Sequence, residues 1–361
     1  MALSPGYRGD YPVTEATTTA LRTAKSGVGT KTVAVIGATG AVGAEMLRCL
    51  EDSSFPTGTL KAFASERSAG KRFKFLGKEV EMQVLTDDAF EGVDVALFAS
   101  ETDISKKYVP IAAAAGAVAI DNSSAFRMDP NVPLVVPEVN GDLIRPSQKI
   151  YANPNCVAAI MVMALWPLHQ AGKLKRVIAS TYQSASGAGR PAMDELEEAT
   201  RAYLKGETYQ HKVLPHPYAF NLFSHNTTIG PDGYNGEETK VVAELRKIMG
   251  LPELRVGVTC VRVPVLRAHS MAITAEFADK VSVEAARAIL SKAPGVKVVD
   301  DRERNHFPMP VESSGQYDVL VGRLREDISD PTGHSLSLFI SGDQLLKGAA
   351  LNAVQIAERI S

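Results

Sequence analysis

The sequence predicts an α/β protein of two domains, and three observations carry that prediction. A buried strand, Thr32-Val33-Ala34-Val35-Ile36, runs straight into a glycine turn and a helix. Short apolar strands and helical stretches then alternate as far as Ile120, the pattern of a parallel sheet with helices on both faces. Beyond Cys156 the chain changes to longer strands and fewer helices. At 361 residues there is enough chain to build two cores.

Hydrophobic residues at 45% and charged residues at 22% describe an ordinary globular protein. A formal charge of -2 argues against nucleic-acid or membrane-surface partners, and no uncharged apolar run reaches membrane-spanning length. Three scattered cysteines, Cys49, Cys156 and Cys260, are too few for a disulfide framework and point to a reducing compartment, hence the cytoplasm. Met1 to Thr30 is rich in Gly, Ser and Thr and reads as a loose extension without a secretory core. Arg22, Lys25 and Thr17-Thr18-Thr19 hint at an organelle transit peptide, which would place the protein in a plastid or another organelle; Asp10 and Glu15 count against one.

The first strand is followed by Gly37-Ala38-Thr39-Gly40-Ala41-Val42-Gly43 and a helix carrying Met46, Leu47 and Leu50. Strand, glycine turn and helix in that order make a phosphate cradle, because helix-start amides face the ligand and the absent side chains let it approach. The spacing is G-x-x-G-x-x-G, so the standard dinucleotide fingerprint is not met. A second strand, Leu60–Ala64, ends in Ser65-Glu66-Arg67-Ser68-Ala69-Gly70-Lys71. Arg67 between two hydroxyls suits a 2'-phosphate and so NADP, while Glu66 is the residue that would serve NAD.

Val93–Ala99 and Ala117–Ile120 are further strands, separated by a helix from Ile104 to Ala115. Ligands collect beyond the carboxyl ends of such strands. Asp121-Asn122-Ser123-Ser124-Ala125-Phe126-Arg127 occupies that position, and Arg127 can grip a phosphate with both prongs of its guanidinium. After an extended segment, Asn131 to Pro137, comes Tyr151-Ala152-Asn153-Pro154-Asn155-Cys156. Val157 to Trp166 is apolar on every face and long enough to be a buried helix. Asn155 fits its N-cap and Cys156 its first turn, where the helix end favours the thiolate that attacks carbonyl carbon. A buried core thiol is the plain alternative.

Arg176–Gln183 is a strand running into Ser184-Ala185-Ser186-Gly187-Ala188-Gly189, a second small-residue turn. Val256–Val263 and His269–Phe277 are extended as well, and Gln344–Glu358 reads as an amphipathic helix. Such a sheet leaves room for a subunit interface. Cys49 and Cys260 fit core positions, His211, His216 and His225 fit ordinary surface or hydrogen-bonded positions, and there is no metal signature.

Five motifs in order resemble the aspartate-semialdehyde dehydrogenase family. They are Gly37-x-x-Gly40-x-x-Gly43, Ser123 to Arg127, Asn153-Pro154-Asn155-Cys156, Gln183-x-x-Ser186-Gly187-Ala188-Gly189, and Arg262-Val263-Pro264-Val265-x-Arg267-x-His269. The resemblance runs from about Lys31 to the end. It implies a Rossmann-like NADP-binding domain at 31–154 after the extension at 1–30, and an α+β catalytic and dimerisation domain at 155–340. A C-terminal helix at 341–361 would return to the first domain. It also implies NADPH-dependent conversion of L-4-aspartyl phosphate to L-aspartate 4-semialdehyde through a cysteine thioester, with phosphate released, by a homodimer or homotetramer.

Carried over by motif, Cys156 is the nucleophile, His269 the acid/base and Gln183 the residue that orients the substrate, with Asn155 beside it. Arg127 and Lys240 would bind phosphate, Arg262 the α-carboxylate and Glu237 the amino group. Gly37, Thr39, Gly40, Ala41, Val42, Gly43, Ser65, Arg67, Ser68, Ser186, Gly187 and Asn352 would hold NADP. Glu237 and Lys240 are three apart in a helical stretch and share a face, where a surface ion pair is the ordinary reading. His269 follows Arg262 by seven residues, an offset that in one regular strand would put them on opposite faces. The other readings are the related reductase of N-acetyl-γ-glutamyl phosphate, whose substrate lacks the amine that Glu237 would bind, and a nucleotide-binding protein without turnover. The Asn-Pro-Asn-Cys context does not resemble the cysteine motif of a glyceraldehyde-phosphate dehydrogenase.

Overall fold

The computed structural model describes residues 30–360. The expected extension, with its transit-peptide features, lies outside the described residues except for Thr30. Strand β1 (Lys31–Ile36) leads into helix α1 (Ala41–Asp52), then β2 (Thr57–Ala64), β3 (Arg72–Phe75), β4 (Lys78–Val84), β5 (Val95–Phe98), α2 (Thr102–Ala114) and β6 (Val118–Asp121). A short helix α3 (Pro137–Asn140) and strand β7 (Ile150–Ala152) complete the first sheet, whose order is β3-β4-β2-β1-β5-β6-β7. All its pairings are parallel except β3 with β4. The chain reverses direction across the sheet at β1, so the crevice beyond the carboxyl ends of β1 and β5 is the expected ligand site.

The β3–β4 hairpin has no counterpart among the strands read from the sequence. Its residues are mostly exposed and charged ones interrupt the apolar ones, so no apolar run marks them. The turn is made by Leu76 (φ 47°) and Gly77 (φ 77°), two consecutive residues in the left-handed region as a tight hairpin requires.

Helix α4 (Cys156–Gly172) opens the second half and is apolar all round. It is followed by β8 (Leu174–Gln183), α5 (Arg190–Leu204), β9 (Phe223–Ser224), α6 (Gly236–Met249), β10 (Arg255–Arg262), β11 (His269–Phe277), α7 (Val283–Leu290), β12 (Val296–Val298), α8 (Pro310–Ser313), β13 (Val319–Glu326) and β14 (Ser335–Gly342). The second sheet runs β12-β13-β14-β11-β8-β10-β9. Buried residues of β8 alternate with exposed ones, Val177, Ala179 and Thr181 facing in and Ile178, Ser180 and Tyr182 facing out. The inward face shares one apolar cluster with α4, α6 and α7, which explains why α4 needs no polar side.

The C-terminal segment departs from the single amphipathic helix expected from Gln344. Leu346–Ala350 forms a wide π-helical turn, and the regular helix α9 runs only over Leu351–Ile360. Leu346, Ala350, Val354 and Ile356 share a cluster with Val33, Met46 and Ile120 of the first sheet and α1.

Candidate active site

Cys156 stands at the first position of α4, and Asn155 caps that helix by accepting the N–H of Val157 (2.9 Å) and Ala158 (3.3 Å). The same Asn155 donates through Nδ2 to Glu237 Oε1 (2.9 Å) and through its backbone N–H to Glu244 Oε2 (2.5 Å). Held from three sides, the cap fixes the direction in which the sulfur leaves the helix. On the opposite side the π-helical turn presses its glycine against the cysteine, since a Cβ on Gly348 would lie 2.8 Å from Cys156 Cβ. Gly348→Ala is therefore expected to lower kcat by about tenfold or more, because displacements near 1 Å at a reacting group cost that much. A circular-dichroism melt within a few degrees of the parent would show that the loss is local.

The helix end does not by itself make a thiolate. Burial, followed by the charge of Glu237, pushes the Cys156 thiol up to about 12, against the pull of Arg127, Arg262 and the Val157 N–H. The thiol expected to be ionised is thus favoured in its protonated form, by burial first and the Glu237 charge second, which outweigh the pull of the α4 helix end.

His269 is fully buried, and burial together with the charges of Arg262 and His225 holds its imidazole well below the ordinary histidine range, so the ring is neutral. Its Nδ1 accepts the Ser184 N–H (3.1 Å) and lies 3.1 Å from Ser184 Oγ, whereas Nε2 has no partner among the described residues. Both groups are thus neutral, the thiol carrying the proton and the ring able to take one.

Three strands bring these groups together. Arg262 ends β10 opposite Gln183 at the end of the parallel β8, and His269 begins β11 on the other flank of β8, where Ser270 pairs with Tyr182. The loop between them crosses the end of β8, so the seven-residue offset measures a crossover and not a position on one strand. Ala268, at φ 72°, makes the final bend and donates its N–H to Gln344 Oε1 (2.9 Å). Gly187 closes the corner, since a Cβ there would sit 2.9 Å from His269 Cε1 and 3.1 Å from Arg262 Nη1. Ser186, beside it, accepts from Gln344 Nε2.

Glu237 is buried and not in an ion pair with Lys240. Its Oε1 accepts from both Asn155 Nδ2 and Gln183 Nε2 (3.1 Å), which joins the cysteine turn to the end of β8. Gln183 Oε1 in turn accepts from Thr181 (3.0 Å). Lys240, half-buried one turn along α6, helps hold the Glu237 carboxyl below the usual range, where His225 contributes more and burial opposes. Arg262 is buried with no carboxylate in an ion pair with it among the described residues. Arg127 reaches the cysteine turn but is engaged, with Nε on Asn153 O (2.9 Å), Nη2 on Asn122 O (2.6 Å) and Nη1 on Glu244 (3.1 Å).

On the nucleotide side, Gly37 lies at φ 79°, and a Cβ there would meet Ala99 O at 2.4 Å. A Cβ on Gly43 would meet Gly37 O at 2.1 Å, so the first turn of α1 sits directly on the loop. The first intrahelical bond joins Ala44 N to Gly40 O (2.9 Å), which leaves the N–H groups of Ala41, Val42 and Gly43 at the open helix end. Thr39 and Gly40 are exposed beside it, and Ser65 and Arg67 are exposed at the end of the adjacent β2, with Ser68 buried behind them. This cradle fits a dinucleotide. Asn352 is fully buried, and its amide is engaged by Val135 O (2.8 Å), Asn153 Oδ1 (2.6 Å) and Lys347 Nζ (2.9 Å).

The sequence reading missed Glu244, although it stands seven residues after Glu237, two turns along the same face of α6. It placed His225 among ordinary surface or hydrogen-bonded residues; the ring is hydrogen-bonded, 3.3 Å from Thr227 Oγ1, but it is buried beside Arg262, Glu237 and Lys240 and not on the surface. Burial and Arg262 push His225 down from 6.5 to about 4. As pH falls from 6.5 toward 4, the unfolded chain takes up a proton that the folded chain refuses at His225, so stability should fall by about 1.4 kcal/mol per pH unit. Above 6.5 this contribution vanishes. His269 adds in the same direction. Urea midpoints at pH 5 and pH 7 should separate less in His225→Gln than in the parent.

Residues 32–147 match the family model described as semialdehyde dehydrogenase, NAD binding domain, and residues 165–347 match semialdehyde dehydrogenase, dimerisation domain. Aspartate-semialdehyde dehydrogenase of Synechocystis sp. is 52% identical over 326 residues, covering 90% of this chain and 96% of that protein. The enzyme of the same name from Prochlorococcus marinus is 48% identical over 327 residues, covering 91% and 95%. The crystal structure of aspartate semialdehyde dehydrogenase II from Vibrio cholerae, complexed with ASA, superimposes with a TM-score of 0.89 at 40% identity, covering 92% of this chain and 98% of that one. With two family models that together cover most of the chain and such relatives over nine-tenths of it, this protein belongs to the aspartate-semialdehyde dehydrogenase family.

Proposed function

We propose that the protein catalyses the NADPH-dependent reductive dephosphorylation of L-4-aspartyl phosphate to L-aspartate 4-semialdehyde, a step in biosynthesis of the aspartate-derived amino acids. The observation that carries this reading is the pair of opposite buried charges beside Cys156: Glu237 and Arg262 are not ion-paired with each other, yet both bear on the thiol. An α-amino acid end offers an ammonium to the first and a carboxylate to the second.

In this reading Cys156 attacks the acyl phosphate, His269 takes the thiol proton, and phosphate leaves toward Arg127 and Lys240. The Ser184 N–H and hydroxyl both hold the His269 ring at Nδ1 and leave Nε2 without a partner among the described residues. Gln183 and Asn155, both bonded to Glu237, hold the substrate end in register with the sulfur. The bound nucleotide supplies hydride. Gly37, Thr39, Gly40, Ala41, Val42 and Gly43 cradle its phosphates, Ser65, Arg67 and Ser68 its 2'-phosphate, and Ser186, Gly187 and Asn352 wall the nicotinamide end. The oxyanion of the reduced adduct then re-forms the carbonyl as the thiolate leaves, and His269 returns the proton to the sulfur.

Glu237 favours this substrate over N-acetyl-γ-glutamyl phosphate, whose acetylated nitrogen carries no positive charge to meet a buried carboxylate. The dimerisation-domain match makes the protein a homo-oligomer. A homodimer, or a tetramer of two, would cover the outward face of the second sheet, where Ile178 and Tyr182 are exposed and Tyr182 lies 6.1 Å from the Phe339 ring. The domains would be 31–154 and 155–340, with 1–30 ahead of them and 341–361 packing back on the first. Among the described residues no helix is long and apolar enough to cross a membrane, in keeping with a cytoplasmic site of action.

The test is phosphate-dependent reduction of NADP by aspartate semialdehyde, run beside NAD and beside N-acetylglutamate semialdehyde. Turnover that needs no phosphate, or that prefers the acetylated aldehyde, would overturn the reading. Tight NADP binding with no turnover of either aldehyde would favour a non-enzymatic protein.

A further inference from the structure

The segment His225-Asn226-Thr227 follows the edge strand β9 and contacts both residues that carry the buried charges described above, at the guanidinium of Arg262 and the backbone N–H of Glu237. Its backbone extends the ladder to β10, with Ser224 opposite Val261 and the His225 N–H on Cys260 O (2.8 Å). Arg262 Nε donates to Asn226 Oδ1 (3.2 Å), and Nη1 makes a long contact to Ser184 O (3.4 Å). Thr227 Oγ1 accepts the N–H of Glu237 (3.0 Å) and lies 3.3 Å from His225 Nδ1. Gly236 N, at the start of α6, donates to Thr228 O (3.0 Å). One four-residue stretch therefore ties the guanidinium of β10 to the first turn of α6.

We propose that this strap positions the two charges that select the amino-acid end of the substrate, Asn226 aiming the Arg262 guanidinium and Thr227 seating Glu237. With Asn226 on Nε, the guanidinium cannot turn edge-on to the strap, and apart from the long contact of Nη1 with Ser184 O its terminal nitrogens are left to a ligand carboxylate. Asparagine suits this task because it accepts a hydrogen bond without neutralising the arginine, as aspartate would. His225 fills the space behind. The inference rests on the proposed roles of Arg262 and Glu237, and its test separates the two.

Three aldehydes read the two charges independently: aspartate semialdehyde, 3-aminopropanal without the carboxylate, and succinate semialdehyde without the amine. Each is scored by KM where it is turned over, and otherwise by its inhibition constant against aspartate semialdehyde. Asn226→Leu should weaken both carboxylate-bearing compounds about tenfold while 3-aminopropanal changes less than about twofold, the effect of losing a hydrogen bond to a charged group. Asn226→Asp should weaken them further, since a carboxylate at Nε occupies the arginine. Thr227→Val should instead weaken the two amine-bearing compounds, by about fivefold, and spare succinate semialdehyde.

Arg262→Met serves as the reference. If it leaves the carboxylate preference intact, the role given to Arg262 fails. If it removes the preference while both Asn226 variants retain it, the strap inference alone fails. Equal weakening of all three compounds would likewise overturn the strap, because a general loosening of the fold has no reason to distinguish them.

Discussion

Replacing Cys156 by serine is expected to lower kcat for phosphate-dependent aldehyde oxidation by about four orders of magnitude or more while leaving NADP affinity within about twofold. The serine oxygen is a weaker nucleophile, and the ester it forms accepts hydride less readily than a thioester. The site is also poorly suited to rescue it. Burial and Glu237 already oppose an anion at this position, and a hydroxyl starts from a higher pKa than the thiol. The cap at Asn155 and the apolar α4 remain, so the fold should be unchanged. Steady-state rates, together with a fluorescence titration of NADP, decide the matter. Activity within tenfold of the parent would remove Cys156 from the chemistry.

The largest stability effect should come from a residue that touches no ligand in this account. Lys347 is buried in the π-helical turn, where Nζ donates to Glu138 Oε2 (2.5 Å), Asn352 Oδ1 (2.9 Å) and Gln355 Oε1 (2.8 Å). Burial lowers its pKa and Glu138 raises it, while burial opposes and Lys347 favours ionisation of the Glu138 carboxyl. Lys347→Met would strand that carboxylate, an uncompensated buried charge whose cost is about 3–5 kcal/mol. Adding Glu138→Gln should recover part of the loss, since removing both charges is cheaper than removing one. Denaturant midpoints at matched protein concentration measure it, because oligomerisation contributes to apparent stability. A single-variant loss below about 1 kcal/mol would mean that the cluster opens to water.

The two expectations differ in how visible they were beforehand. Cys156 announces itself by an asparagine cap and an apolar helix, both local patterns. Lys347 sits in a stretch that reads as an ordinary amphipathic helix, and nothing local reveals that its turn widens to set Gly348 against the cysteine. The β3–β4 hairpin was hidden for a similar reason. Its strands are mostly solvent-facing with charged residues interrupting the apolar ones, and the turn uses a leucine with positive φ where a local reading looks for Asn or Gly.

By itself the sequence determined the strand, glycine turn and helix of the nucleotide cradle, the parallel alternation of the first domain, the strand limits of β11 and the capped entry to α4. Each of these follows from hydrophobic period, from glycine, or from a cap, interactions that span a few residues. Only the tertiary structure decided that Arg262 and His269 flank the end of β8, that Glu237 bridges Asn155 and Gln183 instead of pairing with Lys240, and that His225 lies among them. It also decided the charge of the thiol, since a helix terminus favours the anion while burial beside a carboxylate forbids it. The physical reason is range: a pattern reports what a residue does to its neighbours in the chain, whereas pairing across strands and the loss of water depend on residues brought in from far along it.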